Sequence, residues 1–452
     1  MFHKSYRKFI NTIKINLIYR RFHHAEVLKP GQHKITQKKL SHNAIKVIET
    51  LTRQGYQAFL VGGCIRDLLL GKTPKDFDVV TDAAPEEVRK LFSWAREVRK
   101  LFSWARIVGK RFRIVHIRFK GELIEVTTFR GHDDTKHDDI KTVTHGREVH
   151  QSDKLVKSAS GMTLRDNVYG SIKEDAERRD FTVNAFYYDL FSEQVFAFGS
   201  GFQDLAKKTL KIIGDPHQRY CEDPVRMLRV LRLAVKLRFT IETYTLTPIL
   251  QLHGLLKEVS PGRLYEEFKK MFLQGHAELL FKQLFKYKLM HHFFPTIRHF
   301  NHAPLDEGKY KLNYKKLVLT ALKNTDQRVA QRKSITPAFL CAILLWPELI
   351  KRVHKPWYEL EPSELNKIST QVLNAQKKFM FIPLPLVNRI HNIWLLQLNL
   401  MQQETPDKIT SDPDFRIAYD FLLLREQALD ETKTAFSQWW TDYLATRKNR
   451  RK

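Results

Sequence analysis

The chain has 452 residues, with 77 Lys or Arg against 49 Asp or Glu, so its formal net charge at neutral pH is +28. A length of this order corresponds to roughly two to four domains. Hydrophobic residues make up 43% of the chain, which excludes a largely disordered protein. So large a basic excess indicates a polyanionic partner, either a nucleic acid or an anionic membrane surface.

The apolar runs are too short to cross a bilayer. Residues 338–346 (AFLCAILLW) form one of the longest, whereas a spanning helix needs about 18 apolar residues. We therefore predict no membrane segment and no membrane partner. Cys64, Cys221 and Cys341 are far apart and form no CxxC pair, so they supply neither a disulfide framework nor a structural zinc site. This usage is typical of a reducing compartment, and we predict a cytoplasmic location.

Both ends of the chain are basic. The first 25 residues contain six Lys or Arg and no acid, and the last six residues read RKNRRK. We predict a basic N-terminal arm over residues 1–35, either a solvated or RNA-contacting extension or an amphipathic targeting helix, because transit peptides are also basic and poor in acids.

Between the two ends the pattern changes once. Up to about residue 190, β-branched runs alternate with helical stretches, and strands are predicted over 57–61, 77–81, 113–119 and 123–129. Beyond about residue 200, Leu, Phe and Lys recur at helical spacing, as in 224–239, 262–273, 277–289 and 415–427. We therefore predict an α+β head, with a mixed sheet and helices, followed by an all-α region.

A tandem duplication interrupts the head. Residues 87–96 (EVRKLFSWAR) recur without change as residues 97–106. Asp82 and Pro85 are helix-start signals, and the apolar residues keep a helical spacing across the joint. We predict that the duplication lengthens a helix, because two copies of one decapeptide do not make a repeat architecture.

The first strand runs into Gly62 and Gly63 and then into a helix that carries Arg66 and Asp67. Successive glycines let the backbone approach a phosphate, and the free N–H groups of the helix start face that anion. Taken alone, the same pattern also fits a tight turn without a ligand.

Asp76 and Asp78 follow within a few residues and flank Phe77. On a strand, side chains two positions apart share a face, so both carboxylates converge while Phe77 turns to the core. Converging carboxylates repel unless a divalent cation lies between them, as in a two-magnesium site for phosphoryl transfer.

A third acid is expected to complete this set. Glu125 lies in an otherwise apolar strand, where an acid without a role would be costly to bury. Asp175 and Asp180 are the rival candidates. Their segment also carries Arg178 and Arg179, so it could equally bind a triphosphate and a ribose.

Together these motifs resemble the class II nucleotidyltransferases, the family of bacterial tRNA CCA-adding enzymes and bacterial poly(A) polymerases. The matching segments occur in the family's order, at residues 62–67, 76–78, 125–130, 178–184 and 222–229. The resemblance implies a nucleotidyltransferase palm over 36–190, a helical neck over 191–260 that binds nucleotide and RNA, a helical RNA-binding body over 261–400 and a helical tail over 401–452 with a basic C-terminus.

The resemblance also implies roles for single residues. Asp76, Asp78 and Glu125 would form the metal and catalytic site, with Asp175 as a further catalytic candidate. The residues implied to hold the triphosphate and sugar, or to brace the metal site, are Gly62, Gly63, Arg66, Asp67, Arg179, Asp180 and Asn184.

In the neck, the resemblance implies that Asp223 and Arg226 recognise the base. With Arg229 they are spaced three apart, so on one helix they would share a face and offer acceptor and donor groups. An ion pair within the helix fits the same spacing.

The strand at residues 107–117 (IVGKRFRIVHI) resembles the poly(A) polymerase branch, and Lys110, Arg111 and Arg113 are our candidate RNA contacts. The repeated His-Asp-Asp of the 131–139 loop has loop composition and is not expected to bind a metal.

The resemblance therefore implies template-independent transfer of AMP from ATP to RNA 3′ ends, which promotes RNA turnover, with two Mg²⁺ ions and ATP as substrate. We expect a monomer that works with RNA-binding or RNA-degradation partners. Synthesis of tRNA CCA ends is the first alternative. A catalytically impaired RNA-binding protein is the second, because the duplication could displace Glu125 from the two aspartates.

Overall fold

The computed structural model describes residues 24–99, 104–109, 113–131, 156–157, 162–165, 168–302, 304–308, 310–403, 405–429 and 436–450. The chain divides into two compact units. Unit 1 comprises Met1–Arg226 and Arg238–Pro248, and unit 2 comprises Met227–Leu237 and Ile249–Lys452.

Unit 1 contains most of the strands. In chain order its elements are β1 (Ala25–Leu28), α1 (His42–Arg53), β2 (Ala58–Val61), α2 (Gly63–Leu69), β3 (Asp78–Thr81), α3 (Pro85–Arg99), β4 (Trp104–Val108), β5 (Ile114–Phe119), β6 (Glu122–Thr128), β7 (Val156–Lys157), β8 (Thr163–Arg165), α4 (Ile172–Glu177), β9 (Phe186–Asp189), β10 (Gln194–Phe198), α5 (Gly201–Ala206), β11 (Thr209–Leu210) and α6 (Pro216–Glu222). After α7 (Val225–Leu237), which contributes residues to both units, unit 1 ends with β12 (Thr240–Ile241) and α8 (Thr243–Leu246).

An eight-stranded mixed sheet forms the centre of unit 1, in the order β1-β10-β9-β2-β3-β6-β5-β4. Its neighbouring strands are antiparallel except for β3 and β6, which are parallel. The buried side chains of Phe59, Val80, Phe129 and Tyr187 belong to one core cluster against this sheet. The four strands predicted from the sequence are confirmed. Residues 25–28 of the predicted N-terminal arm are β1 and pair with β10, so the arm does not include them.

Unit 2 is mainly helical, as predicted. Its elements are α9 (Ile249–Leu252), α10 (Pro261–Phe272), α11 (Ala277–Lys286), β13 (Leu305–Asp306), β14 (Lys311–Leu312), α12 (Tyr314–Ala330), α13 (Pro337–Lys351), α14 (Pro362–Gln376), α15 (Leu384–Gln402), α16 (Pro406–Ser411), α17 (Phe415–Gln427) and α18 (Phe436–Arg450). Large aromatic side chains fill its interior. The indoles of Trp394 and Trp440 are fully buried and donate to the carbonyl oxygens of Ala342 and Leu400, so their polar atoms are satisfied.

None of the described helices combines the length and apolar content that crossing a membrane requires.

The duplicated decapeptide adopts two different structures, so the prediction of one lengthened helix is wrong for the second copy. The first copy lies entirely within α3, which also includes the first three residues of the second copy. Residues 104–106 of the second copy instead begin β4, where Ala105 pairs with Ile117 and Arg106 with His116. The physical reason is the pairing with β5. The backbone of residues 104–108 forms antiparallel hydrogen bonds with β5, and this pairing overrides the helical spacing of the apolar residues.

Deletion of residues 97–106 is expected to preserve the fold. The buried α3 side chains Val88 and Phe92 belong to the remaining copy, and its Trp-Ala-Arg can take the place of residues 104–106 in the pairing with β5. Circular dichroism and thermal unfolding measure the effect. A single cooperative transition close to that of the parent chain is expected, whereas loss of cooperative unfolding would contradict this account of the duplication.

Candidate active site

The turn between β2 and α2 brings the backbone next to an arginine. Gly62 adopts φ 83° and ψ −136°, in the left-handed half of conformational space that favours glycine, and its N–H donates to the Phe186 carbonyl at 3.1 Å. A Cβ at this position would lie 3.5 Å from Nη1 of Arg179. The turn therefore places open backbone beside a guanidinium group.

Two carboxylates stand side by side on the parallel strands. Asp78 begins β3, and its register partner on β6 is Glu125. Asp76 is exposed just before the strand, while Phe77 is buried, as the sequence predicted. Since Asp78 and Glu125 are register partners, the duplication between them in sequence does not displace Glu125 from Asp78.

The electrostatics of these acids are unfavourable in the absence of a cation. Burial and the negative charges of Glu125 and Asp76 together raise the pKa of Asp78 to about 6, against the opposing effect of Arg179. Glu125 is half-exposed, and its Oε1 lies 3.4 Å from Nε2 of His116 on β5. Sequence reasoning missed His116, which alternation along β5 places opposite Glu125.

Carboxylate oxygens are the donors that Mg²⁺ prefers, so this set fits that ion in chemistry. Within the described ranges, however, no group of three or more His, Cys, Asp or Glu side chains is close enough to hold a metal. Residues 132–139 of the His-Asp-Asp loop lie outside the described residues.

Asp175 is occupied by other partners. It is buried, and its Oδ2 accepts from Nη2 of Arg179 at 2.9 Å and from the Tyr187 hydroxyl at 2.7 Å. Its Oδ1 accepts from the Arg130 N–H at 3.2 Å. Both oxygens therefore serve to hold Arg179 and the end of β6 in place.

A second network joins two motifs that are distant in sequence. Arg66 is buried, and it donates from Nη1 to Oδ1 of Asn184 at 2.5 Å and from Nη2 to Oδ1 of Asp67 at 2.6 Å. Asn184 in turn donates to Asp180 at 3.0 Å. The structure thus brings together four of the predicted nucleotide-binding residues.

Two glycines that the sequence did not single out close the base of the segment between β6 and α4. The Gly131 N–H donates to Val168 O at 2.9 Å, and the Gly170 N–H donates to Phe129 O at 3.0 Å. A Cβ at Gly170 would lie 2.4 Å from the Cα of Gly131. Arg178 adds a hydrogen bond to the Gly131 carbonyl. Only glycine permits this approach of the two backbones.

The predicted neck residues do not all share one helix, which corrects the sequence interpretation. Asp223 has extended dihedral angles and lies between α6 and α7, because the following Pro224 disfavours a helical conformation there. Arg226 and Arg229 both belong to α7. Asp223 is buried, and its Oδ1 accepts from the Val225 N–H at 3.3 Å.

Arg219 is the residue that sequence reasoning missed most clearly. Its Nη2 donates to the carbonyl oxygens of Arg178 at 2.7 Å and Arg179 at 2.6 Å, while its Nη1 donates to Glu222 at 2.7 Å. The same Glu222 oxygen accepts from Nη1 of Arg226 at 3.1 Å. Burial and the nearby charge of Arg226 lower the pKa of Arg219 to about 10. Arg219 therefore ties α6 and Arg226 to the segment after α4.

The three candidate RNA contacts lie at or within the gap between described residues 109 and 113. Arg113 is partly exposed and forms an ion pair with Glu86 at 2.9 Å. Lys110 and Arg111 lie outside the described residues.

Family comparisons agree along most of the chain. The "Poly A polymerase head domain" matches residues 58–211, the "Probable RNA and SrmB- binding site of polymerase A" matches 238–300, and the "Polymerase A arginine-rich C-terminus" matches 361–452.

Individual proteins give the same result. Poly(A) polymerase I of Salmonella typhi is 38% identical over 434 residues, which is 94% of this chain and 86% of the relative. The CCA-adding enzyme of Lactobacillus helveticus is 34% identical over 239 residues, 53% of this chain and 52% of the relative. A solved CCA-adding enzyme in its apo form has a TM-score of 0.55 at 16% identity, over 91% of this chain and 83% of that one, which shows a shared fold.

Substitution Gly170→Ala is expected to lower the free energy of unfolding by about 1–3 kcal/mol, because the added methyl group would overlap the Gly131 backbone. Thermal or urea unfolding measures it. Gly262→Ala in α10 is the matched control: its Cβ meets nothing within 4 Å, so that change should be neutral or slightly stabilising. Equal stability of the two variants would contradict the close contact.

Proposed function

The chain belongs to the poly(A) polymerase family of nucleotidyltransferases, and on this basis we propose that it is a polynucleotide adenylyltransferase that adds AMP from ATP to RNA 3′ ends without a template. The observation that carries this choice is coverage: the similarity to poly(A) polymerase I extends over 94% of the chain, whereas the similarity to the CCA-adding enzyme stops at 53%. Addition of A tails to many RNAs also suits a net charge of +28, because phosphate contacts are independent of sequence.

Asp76, Asp78 and Glu125 are proposed to hold Mg²⁺ in a two-metal site. The raised pKa of Asp78 supports this role, because a cation would relieve the repulsion among the three acids. Glu125 is preferred to Asp175 as the third carboxylate, since it is the register partner of Asp78 while Asp175 is paired with Arg179. Bound Mg²⁺ would supply activation of the RNA 3′-hydroxyl and neutralisation of the pyrophosphate leaving group.

The other residues are proposed to bind and orient the nucleotide. Arg179, held by Asp175 and Tyr187 beside the open backbone of Gly62, presents positive charge for the triphosphate. The group that includes Arg66 and Asn184 braces the turn and offers polar atoms to the sugar. Attack by the 3′-hydroxyl on the α-phosphate needs this alignment more than a protein general base.

Selection of the base is proposed for Asp223 and Arg226, with Arg229 on the same helix. Arg226 is oriented by two acceptors, the Glu222 carboxylate and the Arg219 carbonyl, the latter at 2.7 Å. Both acceptors bind Nη1, so the plane of the guanidinium group is fixed and its other N–H groups keep one orientation. A fixed set of donors suits recognition of a base edge.

We propose five segments in the predicted order, with two bounds moved to fit the sheet: a basic arm that ends before β1, a head that contains the eight-stranded sheet from β1 to β10, a neck that follows β10 and extends to about residue 260, a body over 261–400 and a tail over 401–452. The three family matches support the head, the RNA-binding region and the basic C-terminus. Lys110, Arg111 and Arg113 are proposed RNA contacts. A monomer in the cytoplasm, with RNA-binding or RNA-degradation partners, remains our proposal. The cytoplasmic location is supported by the three free cysteines, Cys64, Cys221 and Cys341, which are typical of a reducing compartment.

Synthesis of tRNA CCA ends is the second candidate, because a CCA-adding enzyme is 34% identical to this chain over 239 residues. One assay separates the two: purified protein with Mg²⁺ receives each nucleoside triphosphate separately, with either an oligo(A) primer or a tRNA that lacks its CCA end. Long ladders from ATP alone support poly(A) synthesis. A short addition that requires CTP and ATP would overturn it, as would RNA binding without any extension.

Substitution of Asp78 or Asp76 by Ala is expected to reduce AMP incorporation at least about 1,000-fold, because loss of a cation ligand removes several kcal/mol of transition-state stabilisation. Retention of RNA on a filter should persist in both variants. Glu49→Gln, which removes a carboxylate from an exposed ion pair with Arg53, is the control and should be fully active. An unchanged rate in either aspartate variant would overturn the metal-site assignment.

Arg219→Lys is expected to raise the KM for ATP about tenfold and to reduce discrimination among the four triphosphates, with a smaller change in kcat. An ammonium group cannot bridge two carbonyls and the Glu222 carboxylate as the guanidinium does, so Arg226 loses its fixed position. Steady-state kinetics with each nucleotide measures the effect, and Arg53→Lys at the surface serves as control. Unaltered selectivity in a folded Arg219→Lys variant would refute the role.

A further inference from the structure

Two phenylalanines are exposed on the surface of unit 2 between α14 and α15. Phe379 is 40% exposed and Phe381 is 47% exposed, whereas Met380 and Ile382 are buried at 0% and 2%. Leu384, at the start of α15, is 67% exposed. Among the described residues, these three account for three of the seven large hydrophobic side chains that are exposed. Such clustering marks an interaction surface, since single exposed apolar residues are ordinary.

The backbone that carries these rings is fixed. The Phe381 N–H donates to the Pro261 carbonyl at the start of α10 at 3.1 Å, and the Phe379 N–H donates to Gln376 O at 3.0 Å. The Gln376 side chain is itself buried and donates to Phe293 O at 2.7 Å. The two rings are therefore held at the surface by an ordered segment, which lowers the entropic cost of binding to them.

The charge around the rings is positive. Lys377 and Lys378 directly precede Phe379 and are exposed. Between Glu364 and Glu404 the sequence contains four Lys or Arg and no Asp or Glu. Arg389, one of the four, forms an ion pair with Asp414 at 2.7 Å, which leaves Lys377 and Lys378 as the basic residues that adjoin Phe379 in the chain. The Lys377 ammonium donates to Oδ1 of Asn374 at 2.8 Å. Exposed aromatic rings beside lysines, on a stretch without acids, complement an anionic partner that has flat faces of its own.

We propose that Phe379, Phe381, Lys377 and Lys378 form a stacking platform for single-stranded RNA. Bases would stack on the two rings, and the lysines would neutralise the flanking phosphates, an arrangement that tolerates any sequence. The proposal rests on the proposed function in that the RNA is the substrate or its growing A tail. A protein partner suits the surface less well, because it would have to bring its own acids to match the lysines.

The test measures equilibrium binding of a fluorescent oligo(A) of about 15 nucleotides by anisotropy, with no ATP present. The double variant Phe379→Ser/Phe381→Ser is expected to bind at least tenfold more weakly, and Phe379→Tyr/Phe381→Trp to bind as the parent does. Lys377→Gln/Lys378→Gln should lower the slope of log K against log salt by about 1 to 2. Thermal unfolding of each variant establishes that it is folded, as expected for exposed positions.

Phe191→Ser is the matched control. Phe191 is 49% exposed in unit 1 and lies between Asp189 and Glu193, so it matches Phe381 in exposure but not in charge. Its substitution should leave oligo(A) binding unchanged. Unaltered affinity for oligo(A) in the Phe379/Phe381 double variant would overturn the platform, as would an equal loss of affinity in Phe191→Ser. A double variant that keeps its RNA affinity but no longer binds a protein partner would assign the surface to that protein instead and would also overturn the platform. A parent chain that binds oligo(A) without extending it would refute the proposed function while leaving the platform intact.

Discussion

The parallel pairing of β3 with β6 is the constraint on which the site depends. In a sheet whose other pairs are antiparallel, it is the pairing that makes Asp78 and Glu125 neighbours. Parallel neighbours need a long connection, and here that connection contains α3, β4 and β5. The site can therefore accept ten additional residues within the connection, because strand register and not chain length sets the distance between the acids.

Unit 1 contains two clusters of like charge, one of acids around Asp78 and one of arginines around Arg178. Asp78 has a raised pKa among acids, while burial and the charges of Arg130 and Arg219 lower the pKa of Arg178 to about 10. Like charges held close together repel one another, and burial strengthens that repulsion. A divalent cation beside the acids and a polyphosphate beside the arginines, as proposed, would relieve the repulsion in both clusters.

The sequence predicted the elements whose signals are local. The strands β2, β3, β5 and β6 follow from β-branched runs. The nucleotide-binding motifs are short enough to be recognised in the sequence alone. What it could not predict depends on distant partners. The Trp-Ala-Arg of the second decapeptide becomes a strand only because β5 is adjacent. Arg219 acquires its importance from carbonyls about forty positions earlier. The break at Asp223 was visible in the sequence, since a proline follows it.

The contact between Gly131 and Gly170 has a consequence for how this family of chains can diversify. Two backbone hydrogen bonds join the ends of the segment between β6 and α4, where the chain leaves β6 and returns towards α4. Closing a longer loop costs only about 0.6 kcal/mol for each doubling of its length. The positions of the carboxylates and the arginines therefore depend on the two ends of the segment and not on the number of residues between them, so selection can change that number for new RNA or nucleotide preferences.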